Sequence, residues 1–271
     1  MMDQSCSDLD PILQWAIKLA GKAGKLLLEF PRNRINTVHK GEIDLLTDAD
    51  LECEQLILSA IHESFPYHSI LSEEKGSNNT KSNFCWIIDP LDGTTNYSRG
   101  LPIYCVSIAL SYKNEILLGV IHAPELGHLY YASKGEGAYD NHQKMRVSSV
   151  SDLSTSFLVT GFPYTMHQSD IDNIDLFRLF SKQCLAVRRI GSAALDLCYV
   201  AKGVFDAYWE LKLHPWDFAA GSLIVTEAGG MISNMSGKEL EPYSPSSVLA
   251  CNPYIQKTML EKIQEQNASK Q

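Results

Sequence analysis

Apolar residues recur at helical spacing near the start of the chain. Ile12, Leu13, Ala16, Ile17, Ala20, Ala23, Leu27 and Phe30 fall on one stripe. Asp10 is a good N-cap and Pro11 suits a first turn, so a helix is expected over 11–30. A second helix is expected after Thr47, where Thr47 and Asp50 have capping-box spacing. Its stripe is imperfect, because Glu54 shares a side with Leu51, Leu58 and Ile61, and Pro66 stops it. Strand patterns follow at 69–72, 84–88, 106–112, 116–122, 128–132 and 137–139. Lys113-Asn114-Glu115 reads as the turn of a hairpin. Beyond this point strands and helices alternate. Strands are expected at 156–160, 187–190, 207–211, 231–233 and 248–250, and helices at 173–184, 193–201, 216–228 and 253–266. The class is therefore α+β, with an N-terminal α+β half (1–150) and a C-terminal α/β half (151–271). The boundary falls in the polar stretch 149–154, and 267–271 are expected to fray.

Composition narrows the field. The chain has 271 residues, 45% of them apolar and 20% charged, which suits a folded domain rather than a disordered segment. No stretch approaches the roughly 18 apolar residues that span a bilayer, and the polar start does not resemble a leader peptide. The 7 cysteines are scattered and form no Cys-x-x-Cys, which fits a reducing, cytoplasmic setting. A net charge of −9 argues against direct nucleic-acid binding. It is compatible with an anionic substrate when bound cations reverse the local charge.

The chemistry concentrates in Trp86-Ile87-Ile88-Asp89-Pro90-Leu91-Asp92-Gly93-Thr94-Thr95-Asn96. An apolar strand delivers Asp89 and Asp92 into a turn stiffened by Pro90. Two such carboxylates in one space call for a cation, and hard oxygen donors suit Mg²⁺ or Mn²⁺. The carbonyl of Leu91 lies between them as a further donor. Glu73 and Glu74 follow a short apolar strand, and Asp217 stands at a helix start. Gly191-Ser192-Ala193 opens another helix and offers N–H groups to an anion. Each feature alone also has a structural reading, as an Asx turn, a surface acid, a helix cap or a packing turn. Together they fit metal-assisted phosphoryl hydrolysis.

These residues resemble the inositol monophosphatase family of lithium-sensitive, magnesium-dependent phosphatases. The resemblance rests on Ile43-Asp44-Leu45-Leu46-Thr47-Asp48-Ala49-Asp50, Ser72-Glu73-Glu74, the segment 86–96, Gly191-Ser192-Ala193-Ala194, and Glu210 through Trp216-Asp217 to Gly230. It implies a layered αβαβα sandwich and a homodimer. It implies two or three Mg²⁺ ions held by Glu73, Asp89, the Leu91 carbonyl, Asp92 and Asp217. Asp50, Glu73 and Thr94 are the implied catalytic set, with Thr94, paired to Asp50, positioning the attacking water. Gly93 and Thr94 N–H groups would take the phosphate. Gly191, Ser192, Ala193 and Glu210 would meet the substrate, beside Asp92 and Asp217.

The implied activity is hydrolysis of myo-inositol monophosphate by a metal-activated water. Other small esters remain as alternatives within the family: fructose 1,6-bisphosphate, a 3′-phosphoadenosine nucleotide, NADP or histidinol phosphate. So does a regulatory role in a transcription complex. The chain departs from animal members at Ser72, Ser192 and the early loop around Lys40 and Gly41, which bears on substrate preference and a third metal. An aspartyl-phosphate mechanism fits poorly, because Asp89 and Asp92 are one residue too far apart for an Asp-x-Asp pair.

Overall fold

The protein is described by a computed structural model covering residues 9–31, 37–39, 45–78, 80–163, 166 and 172–268. Cys6 and the early-loop residues Lys40, Gly41, Ile43 and Asp44 lie outside the described residues.

Helix α1 (Asp10–Glu29) buries Leu13, Ala16, Ala20, Ala23 and Leu27, the stripe expected from the sequence. Leu9 rather than Asp10 is the cap residue. Asp10 lies inside the first turn, where its charge favours the helix dipole. A short ribbon of β1 (Thr37–His39) and β2 (Leu45–Thr47) leads into α2 (Asp48–Ser64), which opens with the anticipated Thr47–Asp50 capping box.

The strands β3 (Ser69–Ser72), β4 (Gly76–Ser77), β5 (Phe84–Asp92), β6 (Cys105–Tyr112), β7 (Glu115–Ala123), β8 (His128–Ser133), β9 (Gly137–Asp140) and β10 (Gln143–Lys144) form one eight-stranded sheet. Its order is β10-β9-β8-β7-β6-β5-β3-β4, antiparallel except for the β3–β5 pair. The β6–β7 turn places Lys113 and Asn114 at φ 48° and 67°, a two-residue reversal matching the strand twist.

The second half supplies β11 (Phe157–Thr160), α4 (Ile174–Ser181), β12 (Ala186–Arg188), α5 (Ala193–Ala201), β13 (Ala207–Leu213), α6 (Pro215–Glu227), β14 (Met231–Ser233), β15 (Ser246–Cys251) and α7 (Gln256–Ala268). Its five strands run in the order β12-β11-β13-β15-β14. The β11 pairings are parallel and the β15 pairings antiparallel. Of the end expected to fray, Asn267 and Ala268 continue α7, and 269–271 lie outside the described residues. A five-residue helix that the sequence pattern does not announce, α3 (Thr94–Ser98), follows the acidic turn.

Three apolar clusters define the layers. Helices α1 and α2 pack Ala16, Ala20, Ile57 and Ile61 on Trp86, Ile88, Val106 and Val120 of the large sheet. Helices α5 and α6 fill the space between the sheets, with Leu197, Phe218 and Ile224 among Ile87, Ala109, Tyr208 and Val248. Phe180 of α4 and Met259 and Ile263 of α7 cover Leu158, Trp209 and Leu249 on the outer face. The layer order is αβαβα, as the resemblance implies. Gly119 marks the closeness of this packing: a Cβ there would stand 2.6 Å from the Ala220 carbonyl oxygen of α6.

Candidate active site

Strand β5 continues beyond the expected Ile88 into the acidic turn. Asp89 pairs with Ser107 and Asp92 with Cys105, so β6 holds both ends of a bulge between them. Leu91 turns its side chain into the core, at 1% exposure, which leaves the flanking carboxylates on the other side of the backbone. Asp89 Oδ1 accepts a hydrogen bond from the Leu91 N–H at 3.0 Å.

Helix α2 braces this turn. Asp50 Oδ2 accepts the Thr47 N–H at 2.9 Å and the Thr47 hydroxyl. Its other oxygen lies 3.0 Å from the Thr94 hydroxyl, which is also 3.0 Å from the Leu91 carbonyl. One hydroxyl proton therefore serves two acceptors. Cys53, one turn along, directs its thiol at the Pro90 carbonyl, 3.2 Å away. Glu54 is fully buried, and its Oε1 accepts the N–H groups of Glu74 and Lys75, both at 3.1 Å. Sequence reasoning registers Glu54 only as a blemish on an apolar stripe, and that blemish is the signal of its buried partners. The parallel β3–β5 register places Ser72 beside Ile88, so Glu73 arrives beside Asp89, with its N–H 3.2 Å from the Ile88 carbonyl.

Asp92 is tied to the second half of the chain. Its Oδ2 accepts the Ser192 hydroxyl at 2.6 Å and the Ala194 N–H at 2.8 Å. This corrects one expectation. The sequence pattern leaves the N–H groups of the α5 N-terminus open to an anion, but in the structure they already serve one, the Asp92 carboxylate. A carboxylate there satisfies orphan N–H groups and favours the helix dipole. Ser192 also accepts the Leu195 N–H at 3.3 Å, as an N-cap does. Asn96, given no role from sequence, donates to the Ile103 and Ile190 carbonyls, each at 2.8 Å, and so joins α3 to the loop before Gly191. Gly93 has φ 91°, and a Cβ there would lie 2.8 Å from the Ile103 carbonyl oxygen.

Asp217 sits in the first turn of α6 and accepts the His214 N–H at 2.7 Å through Oδ2. Glu210, on β13, accepts the Tyr208 hydroxyl at 2.6 Å. The structure thus gathers Glu73, Asp89, Asp92 and Asp217 around one space. Thr94 and Asp50 join it through the Leu91 carbonyl, and the charge of Glu210 is felt by Asp217.

Electrostatics bind the set together. Burial, then the negative charges of Glu73, Asp92 and Asp217, raise the Asp89 carboxyl well above its ordinary value. Burial raises Asp92 to about 6, against the lowering effect of Ser192 and Ala194. Asp217 is raised by burial and by Glu73 and Asp92. Burial also brings Asp50 to about 6 and Glu210 to about 7. Among the described residues, no lysine, arginine or histidine pairs with Asp89, Asp92 or Asp217.

This donor set fits a hard divalent cation. Asp92 and Asp217 each commit one oxygen, Oδ2, to protein N–H or O–H donors, which orients the other oxygen. The excess negative charge is what such a cation neutralises. As the side chains stand, no group of three or more His, Cys, Asp or Glu among the described residues is close enough together to hold a metal ion.

The remaining candidates take structural places. His122 contacts the Ala20 carbonyl, His128 pairs with Asp140, His142 meets the Tyr131 hydroxyl, and His214 stacks on Trp216. The six described cysteines are free. No helix among the described residues is long and apolar enough to cross a membrane.

Comparison with known proteins bears on this site. The model of the "Inositol monophosphatase family" matches residues 8–269. The Nus factor SuhB of Escherichia coli K12 is 38% identical over 262 residues, covering 95% of this chain and 97% of that protein. An inositol monophosphatase structure from Anabaena superposes with a TM-score of 0.86 at 36% identity, covering 95% of this chain and 97% of that one. A structure described as IMPase/NADP phosphatase complexed with Mg²⁺ and phosphate has a TM-score of 0.81 at 26% identity, over 95% of each chain.

Proposed function

The chain belongs to the inositol monophosphatase family, and from that membership we propose that it is a magnesium-dependent phosphomonoesterase acting on myo-inositol monophosphate. The observation that carries the reading is the mutually repelling group Glu73, Asp89, Asp92 and Asp217, with Asp89 buried and the other three half-buried, set beside the Thr94–Asp50 pair. Glu73, Asp89, the Leu91 carbonyl, Asp92 and Asp217 would hold Mg²⁺. When bound, Mg²⁺ supplies a nucleophilic water near neutral pH and screens the phosphate charge. Thr94 would accept a hydrogen bond from that water while donating its own hydroxyl to Asp50, so that the proton the water loses passes to Thr94 as the Thr94 proton passes to Asp50. The N–H groups of Gly93 and Thr94 face the phosphate. Ser192 and Ala193 line the substrate side, and Glu210 accepts from ring hydroxyls. Glu210 favours a polyol over a nucleotide, which is the ground for preferring an inositol phosphate.

Phosphate release tests the reading, with Mg²⁺, with EDTA and with Li⁺, over myo-inositol 1-phosphate, fructose 1,6-bisphosphate, a 3′-phosphoadenosine nucleotide, NADP and histidinol phosphate. Mg²⁺-dependent, Li⁺-inhibited preference for the inositol ester is expected. Preference for another ester moves the substrate and keeps the metal site, while no metal-dependent release from any ester overturns the enzymatic reading. The resemblance to a protein named as a Nus factor favours a second role in a transcription complex. Co-purification with RNA polymerase components from cytoplasm tests it, and light scattering of the purified chain tests the proposed homodimer.

A further inference from the structure

Three segments of the acidic site meet one face of α2. Asp50, Cys53 and Glu54 occupy positions i, i+3 and i+4, which lie together on a helix. They touch Thr94, the Pro90 carbonyl, and the N–H groups of Glu74 and Lys75, respectively. The first two contacts brace the Asp89–Asp92 turn. The third braces the turn that carries Glu73.

Glu54 is an unusual residue for that task. Its side chain is 0% exposed, and Oε2 is a buried atom with no hydrogen-bond partner among the described residues. A buried carboxylate with one idle oxygen is costly. A hydrophobic residue at this position would complete the stripe facing β5. The return on the carboxylate lies in Oε1, which reaches two successive N–H groups at 3.1 Å. Those N–H groups belong to the three-residue turn 73–75 between β3 and β4, which the Ser72–Gly76 pair closes at its base. Holding both sets the direction in which the chain leaves Ser72, and with it the side chain of Glu73.

We propose that Glu54 is a positioning residue of the metal site: through the N–H groups of Glu74 and Lys75 it fixes the Glu73 turn against Asp89. The inference rests on the reading of Glu73 as a metal ligand. It assigns the function to the reach of Oε1 and not to the negative charge of the side chain.

Two conservative variants separate reach from charge. Glu54→Gln keeps an acceptor oxygen at the same reach and removes the charge. Glu54→Asp keeps the charge and withdraws it by one methylene. The readout is the thermal midpoint of the purified full chain titrated with MgCl₂, together with Mg²⁺ binding by calorimetry. The expected result is a Mg²⁺ half-saturation roughly 10-fold weaker in Glu54→Asp, the usual scale for an outer-shell change. Glu54→Gln should stay within about twofold of the parent on that same scale. The opposite order would make charge the operative property and overturn the proposal. Equal Mg²⁺ responses in all three proteins, with only the metal-free midpoint changed, would leave Glu54 a folding residue and overturn it as well. A parent chain that shows no Mg²⁺ response fails the metal reading itself, which is a distinguishable result.

Discussion

Asp92 and Thr94 show how individual side chains divide the work. Asp92 gives Oδ2 to Ser192 and Ala194, and its charge acts on Asp89 and Asp217. Asp92→Asn keeps the shape and one acceptor while removing the charge. It should lower kcat by roughly a hundredfold or more at saturating Mg²⁺, equivalent to about 3 kcal/mol of barrier. Steady-state kinetics check this, with circular dichroism to verify the fold. Thr94→Val is nearly isosteric and deletes the hydroxyl that joins Asp50 to the Leu91 carbonyl. It should cost roughly 10²- to 10⁴-fold in kcat, the range of a general acid–base group. Thr94→Ser restores the hydroxyl and should recover most of that loss. A Thr94→Val enzyme with near-parental turnover would remove Thr94 from the mechanism. Asp89, Asp92 and Asp217 stand out in the sequence because each comes after an apolar strand pattern or opens an expected helix. The Ser192–Asp92 bond joins positions 100 residues apart, and no local pattern carries it.

At the scale of elements, the sequence patterns track burial closely. Helix α1, the β6–β7 hairpin and α5 appear where apolar spacing and turn residues place them. Helix α3 does not, since five residues beginning Thr94-Thr95 have neither length nor an apolar stripe. Contacts hold it: Gly93 in a left-handed conformation at its start and Asn96 bridging to Ile190. Glu54 is hidden for the same reason, because a buried acid is defined by its partners. The packing of β7 on α6 is equally a property of contact. A Cβ on Gly119 would meet the Ala220 carbonyl oxygen at 2.6 Å, and backbone does not yield as a flexible side chain does. Gly119→Ala should destabilise the fold by about 1–3 kcal/mol. Gly21, in α1, has open space where a Cβ would stand, with nothing within 4 Å. Gly21→Ala should therefore stabilise by about 0.5–1 kcal/mol through helix propensity. Urea unfolding of both variants checks the pair, and a loss at Gly21 equal to that at Gly119 would refute the packing account.

For the molecule as a whole, the layers converge on a charged point. The large sheet brings Asp89 and Asp92, the middle helices bring Asp217 and the cap on Asp92, and the first layer brings Asp50. Three of the five layers therefore contribute negative charge to one space. Asp50 and Asp92 are raised to about 6, and Glu210 to about 7. A carboxyl whose folded value is raised favours the protonated folded state. Its charge is thus a destabilising term, absent at low pH and growing as pH rises from the unfolded value through the folded one. For these three groups the window runs from their ordinary values, 3.8 for the aspartates and 4.5 for the glutamate, to about 6 and 7. A bound divalent cation offsets that repulsion only where the carboxylates are ionised, since protons and metal compete for the same oxygens. The rise in thermal midpoint on replacing EDTA with saturating Mg²⁺ should therefore be small at about pH 5 and large at about pH 7.5. Thermal melts at the two pH values measure it. A rise that is equal at both, or larger at the lower pH, would mean that the cation binds elsewhere than among the carboxylates where the layers meet.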